Sequence, residues 1–254
     1  MYDLERQNKI LELLKNNKAV SVNKLAQLLY ASSATIRRDL TKMEQKGLVT
    51  RTFGAVMINA NPSNTEKAFE LREKSNIVQK RSLCQRAVDL IRDNSSIFID
   101  SSSTLLHIVP YLNSFSNLTI ITNGLVIANE LINQTKHSVI ICGGQVQPNT
   151  NSMLGALAFA SLRKFHTDLS LISTAALDFQ SGFYELTIES SELKKVLISN
   201  SDKTVVLCDE SKINKRSLYQ CCDLGDVDTI ISDYVLTKED EKLINKSKVE
   251  FINA

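Results

Sequence analysis

Residues 21–47 read SVNKLAQLLYASSATIRRDLTKMEQKG, and their spacing decides the N-terminal fold. Ser21 stands where a helix N-cap belongs, ahead of Val22, Leu25, Leu28 and Leu29 on one inner face. Tyr30-Ala31-Ser32 is a short turn. Ser32 or Ser33 can then cap ATIRRDLTKMEQKG, whose apolar positions Ile36, Leu40 and Met43 fall at i, i+4 and i+7. Gly47 is placed for a C′ glycine. Upstream, residues 3–16 carry Leu4, Ile10, Leu11, Leu13 and Leu14 between charges, and Asn16-Asn17 stops that helix. Downstream, LVTRTFGAVMI (48–58) is β-prone and interrupted by Gly54, the pattern of a small hairpin.

Helix, helix, short turn, helix and hairpin is the layout of a winged helix-turn-helix. Its third helix would bury Ile36, Leu40 and Met43 and expose Ser33, Thr35, Arg37, Arg38 and Lys42 toward a DNA major groove. Ser21 and Ser32 at helix N-termini and Arg51 on the hairpin complete the candidate DNA contacts. Charge agrees with this placement. Residues 1–60 hold ten Lys or Arg against five acids, so a head of +5 is joined to a body of −3. The competing reading is that Arg37 and Arg38 are a solvated helix face paired with Asp39 and Glu44.

The remainder reads as a larger α/β body. The 59–66 stretch, NANPSNTE, has a linker composition. KAFELREKSNIVQK then starts a helix that runs on into RSLCQRAVDLIRDN. Short apolar runs follow at 96–100, 118–122, 138–142, 168–173, 204–208 and 228–232, with 248–252 closing the sheet. They are apolar throughout, as expected of strands covered on both faces, and their spacing fits βαβ units in a largely parallel sheet. Ligands bind such sheets beyond the C-terminal strand ends. There lie Asp100-Ser101-Ser102-Ser103-Thr104, Thr122-Asn123 and Gly143-Gly144, three polar ends that form one candidate rim for an anion. Pro110 falls inside the helical stretch TLLHIVPYL, so a short or kinked helix is expected. The organisation is therefore residues 1–58 as head, 59–75 as linker and 76–254 as body.

Bulk features narrow the classes. With 43% hydrophobic and 23% charged residues the chain is not of disordered composition. MYDLERQNK is not a secretory signal, and no apolar run approaches the ~18 residues of a membrane helix. Five cysteines without a C-x-x-C pair indicate neither a zinc site nor a disulfide framework. A reduced, cytoplasmic chain with no metal and no cofactor is expected.

The segment ILELLKNNKAVSVNKLAQLLYASSATIRRDLTKMEQKGLVTR, above all TIRRDL at 35–40 with Glu44 and Gly47-Leu48, resembles the helix-turn-helix of the DeoR family of transcription regulators. Thr52-Phe53-Gly54-Ala55 departs from the His-Gly-Gly run that often follows the wing arginine in that family. Glu66, Phe69, Arg72, Asn76 and Lys80 resemble the family's inter-domain segment, which suggests a hinge. Asp100-Ser101-Ser102-Ser103-Thr104 resembles the family's Asp-Ser-Gly-Thr-Thr, with Ser102 in place of glycine. The Thr122-Asn123 and Gly143-Gly144 pairs match directly, and Asp178 matches loosely. Glu192 and Lys195 resemble an acid–lysine helix pattern, and Asp209 through Lys212 resembles an Asp-Ser-Ser-Lys stretch. The likeness covers about residues 3–235. It implies a DNA operator as one partner, a phosphorylated sugar as effector at Asp100–Thr104, Thr122, Asn123, Gly143, Gly144, Asp178, Glu192, Lys195, Asp209 and Lys212, and a homo-oligomer. It also implies a Rossmann-like sensor shared with sugar-phosphate isomerases. The expected function is a repressor of carbohydrate-metabolism genes, not an enzyme. An isomerase with an accessory head would need a base, with Asp100, Asp178, Glu185 and Glu189 as candidates. His107, His137 and His166 have no matched partner in sequence. On this reading Asp100→Ala removes the effector response and spares DNA binding.

Overall fold

A computed structural model of the chain describes residues 3–15, 17, 19–45, 48–52, 55–58 and 69–254. Asn16, Gly47, Gly54, Glu66 and the 59–66 linker lie outside these residues. Contacts divide the chain into two units, Met1–Ala68 and Phe69–Ala254.

In the first unit α1 (Asp3–Lys15), α2 (Val22–Leu28) and α3 (Ser33–Gln45) precede the antiparallel pair β1 (Val49–Thr52) and β2 (Ala55–Ile58). The capping is as the sequence indicates. Ser21 Oγ accepts from the Lys24 amide, and Ser32, not Ser33, caps α3 by accepting from the Thr35 amide. Ile10, Leu25, Ile36, Leu40 and Met43 are fully buried together. Leu28, read as an inner-face residue, is instead 44% exposed, because the helix ends there and Leu29 takes the inward position. The turn passes through Tyr30 at φ 50°.

The second unit opens with two helices rather than one. α4 (Phe69–Glu73) and α5 (Ile77–Val88) are separated at Asn76, which takes a left-handed conformation that asparagine tolerates. Although α4 falls in the stretch read as linker, Phe69 is buried and its amide bonds to the Asn149 carbonyl. The chain continues through β3 (Ser96–Ile99), a 3₁₀ helix (Leu105–Ser114), β4 (Thr119–Thr122), α6 (Leu125–Gln134), β5 (Ser138–Ile141), β6 (Gln145–Gln147) and β7 (Ser152–Leu154). Then come α7 (Ala156–Leu162), β8 (Leu169–Ser173), β9 (Ala176–Asp178), β10 (Gly182–Glu185), α8 (Ile188–Ser199) and β11 (Thr204–Leu207). The unit closes with β12 (Tyr219–Cys222), β13 (Thr229–Ser232), α9 (Lys238–Ser247) and β14 (Glu250–Asn253). Pro110, which has no amide to donate, sits inside the 3₁₀ helix; where a short or kinked helix was expected, the element runs for ten residues and is wound as 3₁₀ rather than α.

Seven strands form one parallel sheet in the order β14-β13-β11-β8-β3-β4-β5. One face carries Ile97, Ile99, Ile120 and Leu171 against α5, the 3₁₀ helix and α6; the other carries Phe98, Ile121, Ile172 and Val206 against α7, α8 and α9. A mixed α/β fold with a doubly covered parallel sheet is thus what the apolar runs indicated. Two small antiparallel sheets, β6-β7 and β12-β10-β9, were not foreseen, because their strands, such as Gln145–Gln147 and Tyr219–Cys222, are not continuous apolar runs. Chain order runs outward from β3 in one direction and from β8 in the other. The switch point therefore lies between β3 and β8, and this is where such a fold opens a crevice.

Candidate functional site

On the head, the two-faced α3 separates packing from recognition. Arg37, Arg38 and Lys42 are exposed, and Ser33 and Thr35 are half-buried. The acids that could have neutralised the arginines are engaged elsewhere. Asp39 is buried and takes Arg6 of α1 at 2.5 and 3.2 Å, and Glu44 takes Arg51 at 3.7 Å. Arg51 also donates to Thr41 Oγ1 at 3.0 Å, so its guanidinium folds back on α3 and braces the hairpin. Ser33 donates to Asn23 of α2, and Ser21 and Ser32 spend their hydroxyls on caps. Of the candidate DNA contacts, Arg37, Arg38 and Lys42 are the exposed cations on α3.

In the second unit the end of β3 meets the end of β4 through Ser101 and Asn123 and the end of β8 through Asp100 and Ser173, with β11 next beyond β8. Asp100 is 2% exposed; its oxygens accept from the amides of Ser102 at 2.9 Å and Ser173 at 2.8 Å. It thereby ties the loop after β3 to the end of β8, which makes it a scaffold of the loop. Ser102 Oγ accepts from the Leu105 amide and caps the 3₁₀ helix. Because Ser102 is not at positive φ, its position makes no backbone demand for glycine. Ser103 and Thr104 are buried beside it, and Ser101 bonds to Asn123 through both its amide and its hydroxyl.

Thr122 and Asn123 are fully buried and hold loops in place: Thr122 accepts from the Gly124 amide, and Asn123 spans Ser101 and Met153. A Cβ on Gly144, at φ +140°, would stand 2.8 Å from the Leu154 carbonyl, so this glycine serves the packing of β7. Gly143 has open space beside it. Asp178 closes its own turn on Gln180 and Ser181 and takes Arg216 at 2.9 Å. Glu192 and Lys195 pair with each other at 2.9 Å on the exposed side of α8, each about half exposed. The structure thus turns them away from the crevice. Lys194, one position earlier, points inward.

Three lysines arrive at this junction. Lys194 is buried, bonds to the Glu185 carboxylate and the Ser173 carbonyl, and lies 3.8 Å from Asp100. Burial would lower its pKa, but the two carboxylates outweigh that and raise it, holding the ammonium charged. Lys212 donates to Ser173 Oγ at 3.0 Å and stands 3.8 Å from Asp209. Asp209 is itself buried; burial pushes its pKa up, yet Lys212, Ser211 and Asn76 hold it below the usual range. Lys80 of α5 donates to Ser103 Oγ at 3.2 Å and to the Arg72 carbonyl. Burial and then the charge of Lys212 bring its pKa down to about 8.

Asp209 and Lys212 therefore meet Ser103, Ser173 and Lys80. Lys80 and Lys194 were not among the candidate ligands. Their signal was present: each is a cation in phase with an apolar helix face, Lys80 with Leu83, Cys84 and Ala87, and Lys194 with Leu193 and Leu197. Among the described residues no group of three His, Cys, Asp or Glu side chains is placed to hold a metal ion. Among the same described residues no helix is long and apolar enough to cross a membrane.

Comparison with known proteins bears on both units. The model of the DeoR-like helix-turn-helix domain matches residues 6–61, and that of the DeoR C terminal sensor domain matches residues 75–234. The HTH-type transcriptional regulator GolR of Listeria innocua is 34% identical over 94% of this chain and 93% of its own length. The putative aga operon transcriptional repressor of Escherichia coli O157:H7 is 28% identical over 98% and 93%. The L-fucose operon activator of Haemophilus influenzae is 32% identical over 90% and 91%. Among solved structures, ribose 5-phosphate isomerase A of Methanocaldococcus jannaschii overlaps 55% of each chain with a TM-score of 0.41 at 16% identity, too partial to carry an argument. The head, the sensor and the full-length relatives agree: the chain belongs to the DeoR family of helix-turn-helix transcription regulators.

Proposed function

We propose that the chain is a cytoplasmic repressor of carbohydrate-metabolism genes that binds an operator as a homo-oligomer and answers to a phosphorylated sugar at the β3–β8–β11 junction. The DNA head is residues 1–58 and the sensor 76–254, joined by 59–75, whose α4 already packs with the sensor. The observation that carries the effector is the meeting of Lys80 and Lys212 around the hydroxyls of Ser103 and Ser173. The Lys80 ammonium, disfavoured by burial and then by the charge of Lys212, is relieved by an anion with several acceptor oxygens, and a phosphoryl group fits that description. Asp209, held charged, orients Lys212 and discriminates by placing one acceptor beside the two cations. Paired recognition helices on two half-sites supply operator specificity, and the effector acts by favouring one arrangement of the heads. The isomerase alternative is disfavoured because three of its four candidate bases are engaged, Asp100 by amides, Glu185 by Lys194 and Asp178 by Arg216, and the fourth, Glu189, is exposed in the first turn of α8.

The test is a thermal-shift screen of the full chain against sugar phosphates and their free sugars. A cognate sugar phosphate at a hundredfold excess over its Kd adds about 2.7 kcal/mol of stability. Lys212→Met should abolish the shift, and a shift that survived would move the site elsewhere. Binding should also depend on pH with a fixed sign. Between about 6.5 and 8 Lys80 carries its proton in the free protein, the phosphoryl group is mostly dianionic and the affinity is flat. Above about 8 binding the anion requires proton uptake, so affinity falls by up to about tenfold per pH unit. Titration calorimetry in buffers of different ionisation heat reads that proton directly; no uptake at pH 9 would remove Lys80 from the site. For the head, Arg37→Glu should weaken operator binding by about a hundredfold without changing melting of the head. Unchanged affinity in a gel-shift titration would displace α3 from the groove.

A further inference from the structure

The turn that ends α2 asks for glycine and holds a tyrosine. Leu29 is the C-cap of the helix; beyond it the Tyr30 amide bonds to the Gln27 carbonyl and the Ala31 amide to the Ala26 carbonyl. This pair of closing bonds sets the first residue past the cap in left-handed backbone, where glycine is the usual occupant because a Cβ is strained there. Here that residue is Tyr30, at φ 50°. The other non-glycine residues at positive φ among the described residues are five asparagines, which tolerate the conformation, and Lys248. Tyr30 gains nothing from packing in return, since it is 98% exposed. A strained side chain that the fold does not use points to a task outside the fold.

Its neighbours indicate what that task is. Two residues on, Ser32 caps α3, whose Arg37, Arg38 and Lys42 are exposed. Tyr30 borders a surface hollow of about 550 Å³ together with Asn23 and Gln27 of α2 and Ser33 of α3. Ala26 and Ala31 complete the lining, so no carboxylate stands in it. Uncharged amides and hydroxyls beside a cationic helix fit a polyanion, and a tyrosine hydroxyl is among the groups that donate to phosphate oxygens at protein–DNA interfaces.

We propose that Tyr30 is a DNA contact whose hydroxyl donates to a backbone phosphate flanking the groove that α3 enters, and that the head accepts a strained turn to hold it there. The contact carries affinity and orients the head, and it reads no base. This rests on α3 lying in the groove, which Arg37→Glu tests separately.

The experiment is fluorescence anisotropy of the full chain on a labelled random-sequence DNA duplex at low salt, which reads backbone contacts whatever the operator. Tyr30→Phe keeps the ring, the turn and the strain and removes only the hydroxyl. Tyr30→Gly removes the side chain and relieves the backbone. Both are expected to bind about tenfold more weakly. Their salt dependence stays that of the parent protein, because a neutral hydroxyl neutralises no phosphate. The head of Tyr30→Gly should melt higher than the parent's, so the lost affinity is not lost stability. Full affinity in Tyr30→Phe overturns the proposal whatever Tyr30→Gly does, since the turn and not the hydroxyl would then be what DNA needs. A loss in Arg37→Glu with none in Tyr30→Phe overturns this contact and leaves α3 in place; no loss in any of the three displaces α3 as well. Full affinity joined to a smaller assembly of Tyr30→Gly in sedimentation would make the turn a contact between copies of the chain, and overturns the proposal too.

Discussion

Lys194→Met is expected to cost the sensor about 3–5 kcal/mol, the usual consequence of removing one partner from a buried ion pair. The substitution keeps the length of the side chain but leaves the carboxylates of Glu185 and Asp100, both buried, without their cation. For a unit of this size the melting temperature should fall by about 10 °C. The sign of the pH response is also fixed. A buried carboxylate without a cation favours its protonated form, so the folded variant binds more protons than its unfolded chain and gains stability as pH falls. The gap to the parent protein should therefore narrow between neutral and mildly acidic pH. Lys195→Met is the control: its side chain is 47% exposed and pairs only with exposed Glu192, so a change within about 0.5 kcal/mol is expected. Equal effects of the two substitutions, read by differential scanning calorimetry, would refute the assignment.

Asp39→Ala should be comparably severe in the head, about 3–5 kcal/mol, because it takes the buried Asp39 carboxylate away from the buried Arg6 guanidinium between α1 and α3. A unit of this size has only a few kcal/mol of net stability, so the expected outcome is an unfolded head on a folded sensor. Operator binding disappears while the sugar-phosphate thermal shift persists. This separates it from Arg37→Glu, where binding is lost and the head still melts normally. In Arg37-Arg38-Asp39-Leu40, neighbouring positions thus do opposite work: the arginines face outward, and the aspartate and leucine hold the helix in place.

The head was almost wholly legible in sequence because its information is local. Caps at Ser21 and Ser32 and the Ile36–Leu40–Met43 face each follow from neighbours within two turns. The parallel sheet was legible for a similar reason, since each buried strand announces itself as an apolar run. The candidate site was only partly so. Thr122, Asn123, Gly143 and Gly144 lie on strand ends to the β4–β5 side of β3, away from β8 and β11, and strand order cannot be read from strand runs. Lys195 entered with Glu192 as a resemblance to an acid–lysine helix pattern, and such a pattern does not show which side of α8 meets the sheet. The partners of Lys80, at Ser103 and Asp209, lie 23 or more positions away and come together only through tertiary packing.

The strand order also bears on how the chain comes to be made. The head closes through short-range contacts and is complete once its hairpin emerges. The central β3–β8 pairing joins Ser96 to Asp168 across 72 positions, and Lys212 is synthesised later still. Long-range parallel pairing is the slow kind of folding, and domains fold in order as they leave the ribosome. During synthesis there is accordingly an interval in which the chain has a finished recognition helix and nothing that can hear a sugar. A product arrested before β11 would be fixed in that interval: able to hold DNA, and deaf to its effector.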